Sequence, residues 1–256
     1  MANLKRMLDH LKSKGPLGYL HYKLNKARKQ KMANRHALKF YSQFVGTGDL
    51  CFDIGANMGN RTRLFLALGA RVVCVEPQES CATFLREHFK GSPVTVLQTA
   101  LGEKSGSAQM MISSSSTFST MSKQWIENAR RTGRFGSATW EKTIEVPITT
   151  LDEIIGQYCV PRFVKIDVEG FELQVLRGLS KPVECISFEF VSENQEALTA
   201  CVDHLRMLGE LRFNFSLGES LVFESPKWLD PDSLLSHLKT LPGSVPWGDI
   251  YAAFQV

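Results

Sequence analysis

Asp53, Gly55, Asn57 and Gly59 stand in one short run, Phe52-Asp53-Ile54-Gly55-Ala56-Asn57-Met58-Gly59-Asn60. Glycines at such spacing let a chain leave a strand, turn sharply and start a helix with its backbone open to a ligand. Glu76 follows seventeen residues after Gly59, behind a second apolar run, where an acid can hold both ribose hydroxyls of an adenosine. A dinucleotide loop would want G-x-G-x-x-G, and the positions in register, 55, 57 and 60, are Gly, Asn and Asn. Asp53 is also awkward beside a pyrophosphate, whereas it suits a ligand carrying an ammonium and a sulfonium, as S-adenosylmethionine does. No G-x-x-x-x-G-K-[ST] occurs, which excludes phosphate-loop chemistry.

A second constellation is Val164-Lys165-Ile166-Asp167-Val168-Glu169-Gly170. Period-two geometry puts Lys165, Asp167 and Glu169 on one face of a strand. Unpaired charge on a buried strand is costly, so these side chains are expected to face a ligand crevice at the strand's carboxyl end. Asp167 and Glu169 are candidates to remove a proton from a hydroxyl acceptor, with Lys165 orienting or stabilising the acceptor oxygen. The competing reading is a Lys165–Asp167 ion pair with Glu169 at a helix start. Glu189, ending the next apolar run, carries the same two readings. Six scattered His residues and the absence of C-x-x-C argue against a metal site.

These residues need elements to position them. Leu50–Ile54, Arg71–Val75, Val94–Gln98, Arg162–Val168 and Cys185–Val191 read as strands. Asn60–Leu68, Gln78–Phe89, Phe171–Leu179 and Glu193–Leu208 read as the helices between them. Short apolar strands alternating with helices predict a parallel sheet covered on both faces. Leu211–Ser216 and Ser220–Phe223 are expected to form an antiparallel pair around Gly218, giving about seven strands. Between the third and fourth core strands an insertion, about 103–145, holds expected strand residues 108–112, a Ser113–Ser116 run, a short helix at 124–131 and a basic, mobile loop at 133–136. A further strand is expected at 145–149. The aromatic run around Trp247 and Tyr251 is left unassigned.

Charge is unevenly spread. Residues 1–40 hold eleven Lys or Arg against one acid, Asp9, so the net +4 conceals an acidic body. Residues 1–45 are read as a basic helical extension and 46–256 as the main domain. The arm's Leu4, Met7, Leu8 and Leu11 stripe suits packing, and its charge suits contact with an anionic surface. No RNA-binding motif accompanies it, which argues against nucleic acid. Cys51, Cys74 and Cys185 sit in apolar runs as core residues, and reduced thiols with no signal-type N-terminus point to the cytoplasm.

The segments F-D-I-G-A-N-M-G-N, V-C-V-E-P, Gln98-Thr-Ala-Leu-Gly102, Thr149-Thr-Leu-Asp152 and V-K-I-D-V-E-G-F-E occur in one order, followed by Ile186–Phe190. In that order they resemble the FkbM family of S-adenosylmethionine-dependent methyltransferases over about residues 48–225. The resemblance implies a class I (Rossmann-like) α/β methyltransferase fold, with a seven-stranded, mostly parallel sheet and helices on both faces. It implies cofactor contacts from Asp53, Gly55, Asn57, Gly59, Glu76, Ala100 and Asp167, and O-methylation of a sugar, glycan or other small-molecule hydroxyl. The alternatives are a nucleic-acid 2′-hydroxyl methyltransferase using the basic arm, a nicotinamide oxidoreductase, and an inactive binding module that kept the cofactor fold.

Overall fold

A computed structural model of the chain describes residue 28 and residues 31–133, 136, 138–192, 194–241 and 247–255. The chain divides into two compact units, Met1–Phe40 and Tyr41–Val256. In the first, residues 31–40 are helical, and the expected helix on the Leu4–Leu11 stripe lies outside the described residues. No helix among the described residues is long and apolar enough to cross a membrane.

The second unit is built on a seven-stranded sheet. Strands β1 (Leu50–Ile54), β2 (Arg71–Val75) and β3 (Val94–Leu97) lie to one side. Strands β7 (Phe163–Ile166), β8 (Cys185–Val191), β9 (Leu211–Leu217) and β10 (Trp247–Phe254) lie to the other, in the order β3-β2-β1-β7-β8-β10-β9. Pairing is parallel from β3 to β8, and β10 runs antiparallel to both β8 and β9. This is the expected class I architecture. Its core strands are buried along their whole length: all five residues of β1 and all four of β7 are inaccessible. Phe52, Ile54, Val164, Ile166, Ile186 and Phe188 form the centre of one continuous core. Burying each such side chain stabilises the fold by about 1.5–3 kcal/mol before the entropy of ordering it is counted. Tyr41, Phe44, Phe65, Phe163 and Tyr251 form an aromatic cluster, with Phe44 stacked on Tyr251 at 5.5 Å and Phe163 edge-on to Phe65 at 5.7 Å.

The connecting helices are α1 (Asn60–Ala67), α2 (Glu79–His88), α3 (Lys123–Thr132), α4 (Leu151–Tyr158), α5 (Glu172–Arg177), α6 (Gln195–Leu208) and α7 (Pro231–Lys239). Their starts follow local chemistry. Thr150 and Glu153 make a reciprocal capping box on α4, and Asp230 caps α7 ahead of Pro231.

Two expectations are corrected, and the insertion's strands find their sheet. Ser220–Phe223 does not pair with β9: Gly218 (φ +53°) and Leu221 (φ +49°) turn the chain away, and Leu221 is buried. The partner of β9 is β10, from the run left unassigned. Gly248 is what lets β10 in, since a Cβ there would lie 1.9 Å from the Ser216 carbonyl oxygen. The strands expected at 108–112 and 145–149 form, in a sheet of their own. That sheet comprises β4 (Ala100–Leu101), β6 (Lys142–Thr149) and β5 (Gly106–Ile112), in the order β4-β6-β5. Finally, β7 stops at Ile166, so Asp167, Val168 and Glu169 lie in a loop and not on a pleated strand.

Strand order reverses between β1 and β7, which places a crevice beyond their carboxyl ends. The loops after β1, β2 and β7 meet there. The basic loop expected at 133–136 starts at Gly133 (φ +64°), which ends α3; Arg134 and Phe135 lie outside the described residues.

Candidate active site

The loop after β1 is pressed against the loop after β7. Gly55 has φ +79°, and a Cβ on it would sit 1.9 Å from the Asp167 carbonyl oxygen, so no side chain fits. The Gly55 and Ala56 N–H groups donate to the Val75 carbonyl, and Asp167 N–H donates to Ile54. Asn57 takes a left-handed φ of +46°, which Asn tolerates better than most residues. Its N–H donates to Glu76 Oε2 at 2.8 Å, while Gln78 N–H donates to Glu76 Oε1 at 2.8 Å. Glu76 is 2% exposed, and burial raises its carboxyl pKa against the opposing pull of those N–H bonds. Asp53, equally buried, accepts from the Thr62 hydroxyl at 2.5 Å. Burial raises its pKa too, opposed by that hydrogen bond and by Lys165.

The insertion supplies a strap. Thr120 bridges to Met111 through two backbone hydrogen bonds, which fixes one end of the Ser113–Thr120 segment to β5. Gln78 Nε2 donates to the Ser116 carbonyl, and Ser119 Oγ donates to Gln78 Oε1 at 3.0 Å. Thr120 Oγ1 donates to the Glu169 carbonyl at 2.6 Å. The strap thus ties the loop after β2 to the loop after β7.

The loop after β7 gathers the charges. Lys165 is fully buried; its Nζ lies 2.9 Å from Asp249 Oδ1 and 3.5 Å from Asp167 Oδ2, and donates to the Ile166 carbonyl. Glu169 (φ +53°) and Gly170 (φ +87°) are both left-handed. Glu172 holds this turn: its Oε1 accepts from Val168 N–H at 3.3 Å and Gly170 N–H at 3.0 Å. Burial pushes Glu172 up to about 7. Asp167, Glu169 and Glu189 bring carboxylate oxygens within 4.8 Å of one another. Burial, reinforced by the Glu169 and Asp167 carboxylates, holds Glu189 well above the ordinary range.

A cleft of about 300 Å³ opens over these loops, and Asp53, Gly55, Asn57, Glu76, Ala100, Asp167 and Glu169 all line it. The strap contributes Ser116, Thr117, Ser119 and Thr120. A second, smaller cavity, about 60 Å³, lies against Trp125, Asn128, Gly170, Glu189 and Asn194. Glu189 lines this second cavity, so the three-carboxylate cluster stands where the two spaces approach each other.

Two expected site residues fall elsewhere. Gly59 does not line the cleft: it precedes α1 with φ +74°, and a Cβ there would strike Phe89 and Leu85, so the position is demanded by packing. Lys165 does not line it either, its ammonium being engaged by Asp249 and Asp167. These contacts fit the ion-pair reading of Lys165 given from the sequence. The closeness of Asp167 and Glu169 comes from a left-handed turn and not from strand alternation. Arg61, Gln78, Glu219 and Asp249 escaped the sequence reading. Of these, only Gln78, directly after Glu-Pro, carried a positional hint.

The model of the methyltransferase FkbM domain matches residues 53–217, well over half of the chain. The chain belongs to this family. Among curated proteins, this FkbM-domain chain is similar to hexuronic acid methyltransferase AglP of Haloferax volcanii, at 28% identity over 145 residues. The match covers 56% of this chain and 55% of the relative, so the chain spans about half the length of the curated relative it matches. Among solved structures it is similar to precorrin-6Y C5,15-methyltransferase of Geobacter metallireducens (14% identity, TM-score 0.46, 87% of each chain). It is also similar to a TehB-like methyltransferase of Corynebacterium glutamicum (10% identity, TM-score 0.41, 92% of this chain and 99% of the other).

S-adenosylmethionine, the cofactor associated with the family, fits the donor set. Each Glu76 oxygen accepts one backbone N–H, which leaves each with acceptor capacity for a ribose hydroxyl. Ala100 presents a small apolar wall on the same cleft, and Asp53 an anion suited to an ammonium.

Proposed function

We propose that this FkbM-domain chain is an S-adenosylmethionine-dependent methyltransferase acting on a hydroxyl group of a sugar, glycan or other small molecule. The observation that carries the reading is the single cleft in which the buried, half-saturated Glu76 carboxylate and the Asp167–Glu169 pair are both exposed to the same space. The hexuronic acid named for the curated relative supports a sugar acceptor.

Bound there, S-adenosylmethionine supplies an activated methyl group. In this reading the chain's own residues do the rest. Glu76 takes the ribose hydroxyls, and the Gly55–Asn57 backbone sets their distance from the reaction centre. Asp53, Gly55, Asn57, Ala100 and Asp167 complete the cofactor surface, and Gly59 acts only through the packing of α1. Asp167 or Glu169 accepts the hydroxyl proton as the oxygen–carbon bond forms and the carbon–sulfur bond breaks. Lys165 and Asp249 hold Asp167 in place as positioning residues. Alignment of acceptor and methyl supplies much of the acceleration, because the donor arrives already charged. The second cavity, walled by Trp125, Asn128 and Asn194, receives the acceptor.

Calorimetric titration with S-adenosylmethionine, S-adenosylhomocysteine and NAD(H) tests the cofactor. Saturable binding of the first two and not the third is expected. Labelled-methyl transfer to a panel of neutral sugars and hexuronates then tests the reaction. Glu169→Gln is expected to impair transfer while cofactor binding persists, and Asp167→Asn to impair transfer and weaken cofactor binding as well. Binding of NAD(H) alone, or binding without transfer to any hydroxyl acceptor, overturns the reading.

A further inference from the structure

The cleft is strongly acidic. Asp53, Glu76, Asp167, Glu169 and Glu219 line it, and Arg61 is the one cation among its described lining residues. Arg61 stands in the first turn of α1, a helix with no acid there, where a cation opposes the helix dipole. Helix stability therefore does not account for it. Its side chain is only 17% exposed, and its ion-pair partner is Glu219, with Nη2 and Oε2 2.6 Å apart. Glu219 is 63% exposed and lies in the turn after β9 that begins at Gly218, held on the cleft side by the guanidinium. Glu219, the exposed member of the pair, gives up little by returning to water, so another carboxylate can take its place on Arg61. The charge of Arg61 also acts directly on Asp53. An acid suited to an ammonium and a guanidinium suited to a carboxylate thus line one cleft, the charge pattern that a free amino acid group requires.

We propose that Arg61 is the carboxylate-binding residue of the cleft, taking the α-carboxylate of the cofactor's amino acid end in exchange for Glu219. This rests on the S-adenosylmethionine reading above and adds a residue to it. A bidentate guanidinium–carboxylate pair is among the stronger polar contacts available. With five carboxylates lining the same space, a ligand carboxylate placed anywhere else would meet repulsion. Glu219 then acts as a resident competitor, keeping Arg61 paired until a ligand carboxylate arrives.

The test is calorimetric binding of S-adenosylhomocysteine, which carries the carboxylate, beside 5′-methylthioadenosine, which lacks the amino acid group. Wild type, Arg61→Gln, Arg61→Lys and Glu219→Gln are compared. Arg61→Gln is expected to weaken S-adenosylhomocysteine about tenfold or more, the scale of a lost charge-assisted contact, and to leave methylthioadenosine within about twofold. Arg61→Lys should fall between, and Glu219→Gln should tighten S-adenosylhomocysteine by up to about fivefold. Equal weakening of both ligands by Arg61→Gln would assign Arg61 a structural role and overturn the proposal. So would unchanged S-adenosylhomocysteine affinity with a raised KM for a hexuronate acceptor, which would give Arg61 to the acceptor's carboxylate. Silence of the wild type toward both ligands would remove the cofactor reading itself, and the proposal with it.

Discussion

Replacing Gly170 with alanine separates two costs that this fold imposes at one backbone position. Gly170 has φ +87°, and a Cβ built there would lie 2.5 Å from Cδ1, 2.7 Å from Cβ and 2.8 Å from Cγ of Trp125. Trp125 cannot simply step aside: its N–H donates to Ser122, its ring meets Trp140 edge-on at 6.0 Å, and it is 8% exposed. Left-handed backbone costs an L-residue roughly 1–2 kcal/mol, and overpacking a dense contact adds about 1–3 kcal/mol. Gly170→Ala should therefore destabilise by about 2–5 kcal/mol. Gly48 isolates the first term, having φ +86° with nothing within 4 Å of an added Cβ. Gly48→Ala should cost only about 1–2 kcal/mol. Urea unfolding read by tryptophan fluorescence and circular dichroism measures both. A cycle with Trp125→Gly, which removes the clashing Cβ as well as the ring, should return a coupling of about 1–3 kcal/mol, because the added methyl then meets open space. If Gly170→Ala costs no more than Gly48→Ala, or if that coupling is absent, the argument from Trp125 fails. The same variant should impair catalysis, since Gly170 N–H anchors the acidic loop to Glu172.

Lys165→Met leaves Asp249 buried beside a neutral side chain and should cost about 3–5 kcal/mol by urea titration, with Asp249→Asn in the same chain recovering part of the loss. Glu172 titrates near 7 in the fold, against an ordinary 4.5, so the folded state holds its proton more firmly. Its contribution is therefore fully present below about pH 4.5 and is lost as pH rises through 7. The gap between wild type and Glu172→Gln should shift by about 3 kcal/mol between about pH 4.5 and about pH 8 in paired unfolding curves. Thr62→Val removes the hydroxyl that solvates buried Asp53 and should destabilise by about 1–3 kcal/mol, with S-adenosylhomocysteine binding measured alongside to detect displacement of Asp53.

The alternation of apolar strands and helices was legible because β1, β2 and β8 are buried along nearly their whole length, so their sequences are almost purely apolar. The acids at strand ends were legible because charge in such runs is expensive. Glu76 could be read as a ribose ligand, but its grip on the Asn57 and Gln78 N–H groups could not, since backbone partners leave no mark on residue type. Asp249 was hidden for a different reason. It pairs with Lys165 from 84 positions away, on a strand interrupted by Gly248, and periodicity cannot report a contact made by topology. Glu169 reached the acid cluster through a left-handed turn, which the alternation rule places wrongly even when its conclusion is right.

The position of β10 between β8 and β9 sets the order in which the chain can finish folding. Ribosomal synthesis delivers β7, β8 and β9 before β10, and Lys165 emerges 84 residues ahead of Asp249. At roughly 5–20 residues per second, that is a delay of about 4–17 s. From the completion of β8 until β10 arrives, the far edge of β8 has no neighbour and β9 has no place in the sheet, because β10 alone joins them. Open strand edges of this kind invite pairing with other chains. The nascent protein thus passes through an obligatory interval in which its sheet is split and its central cation half-compensated, and the arrival of one strand closes both defects together.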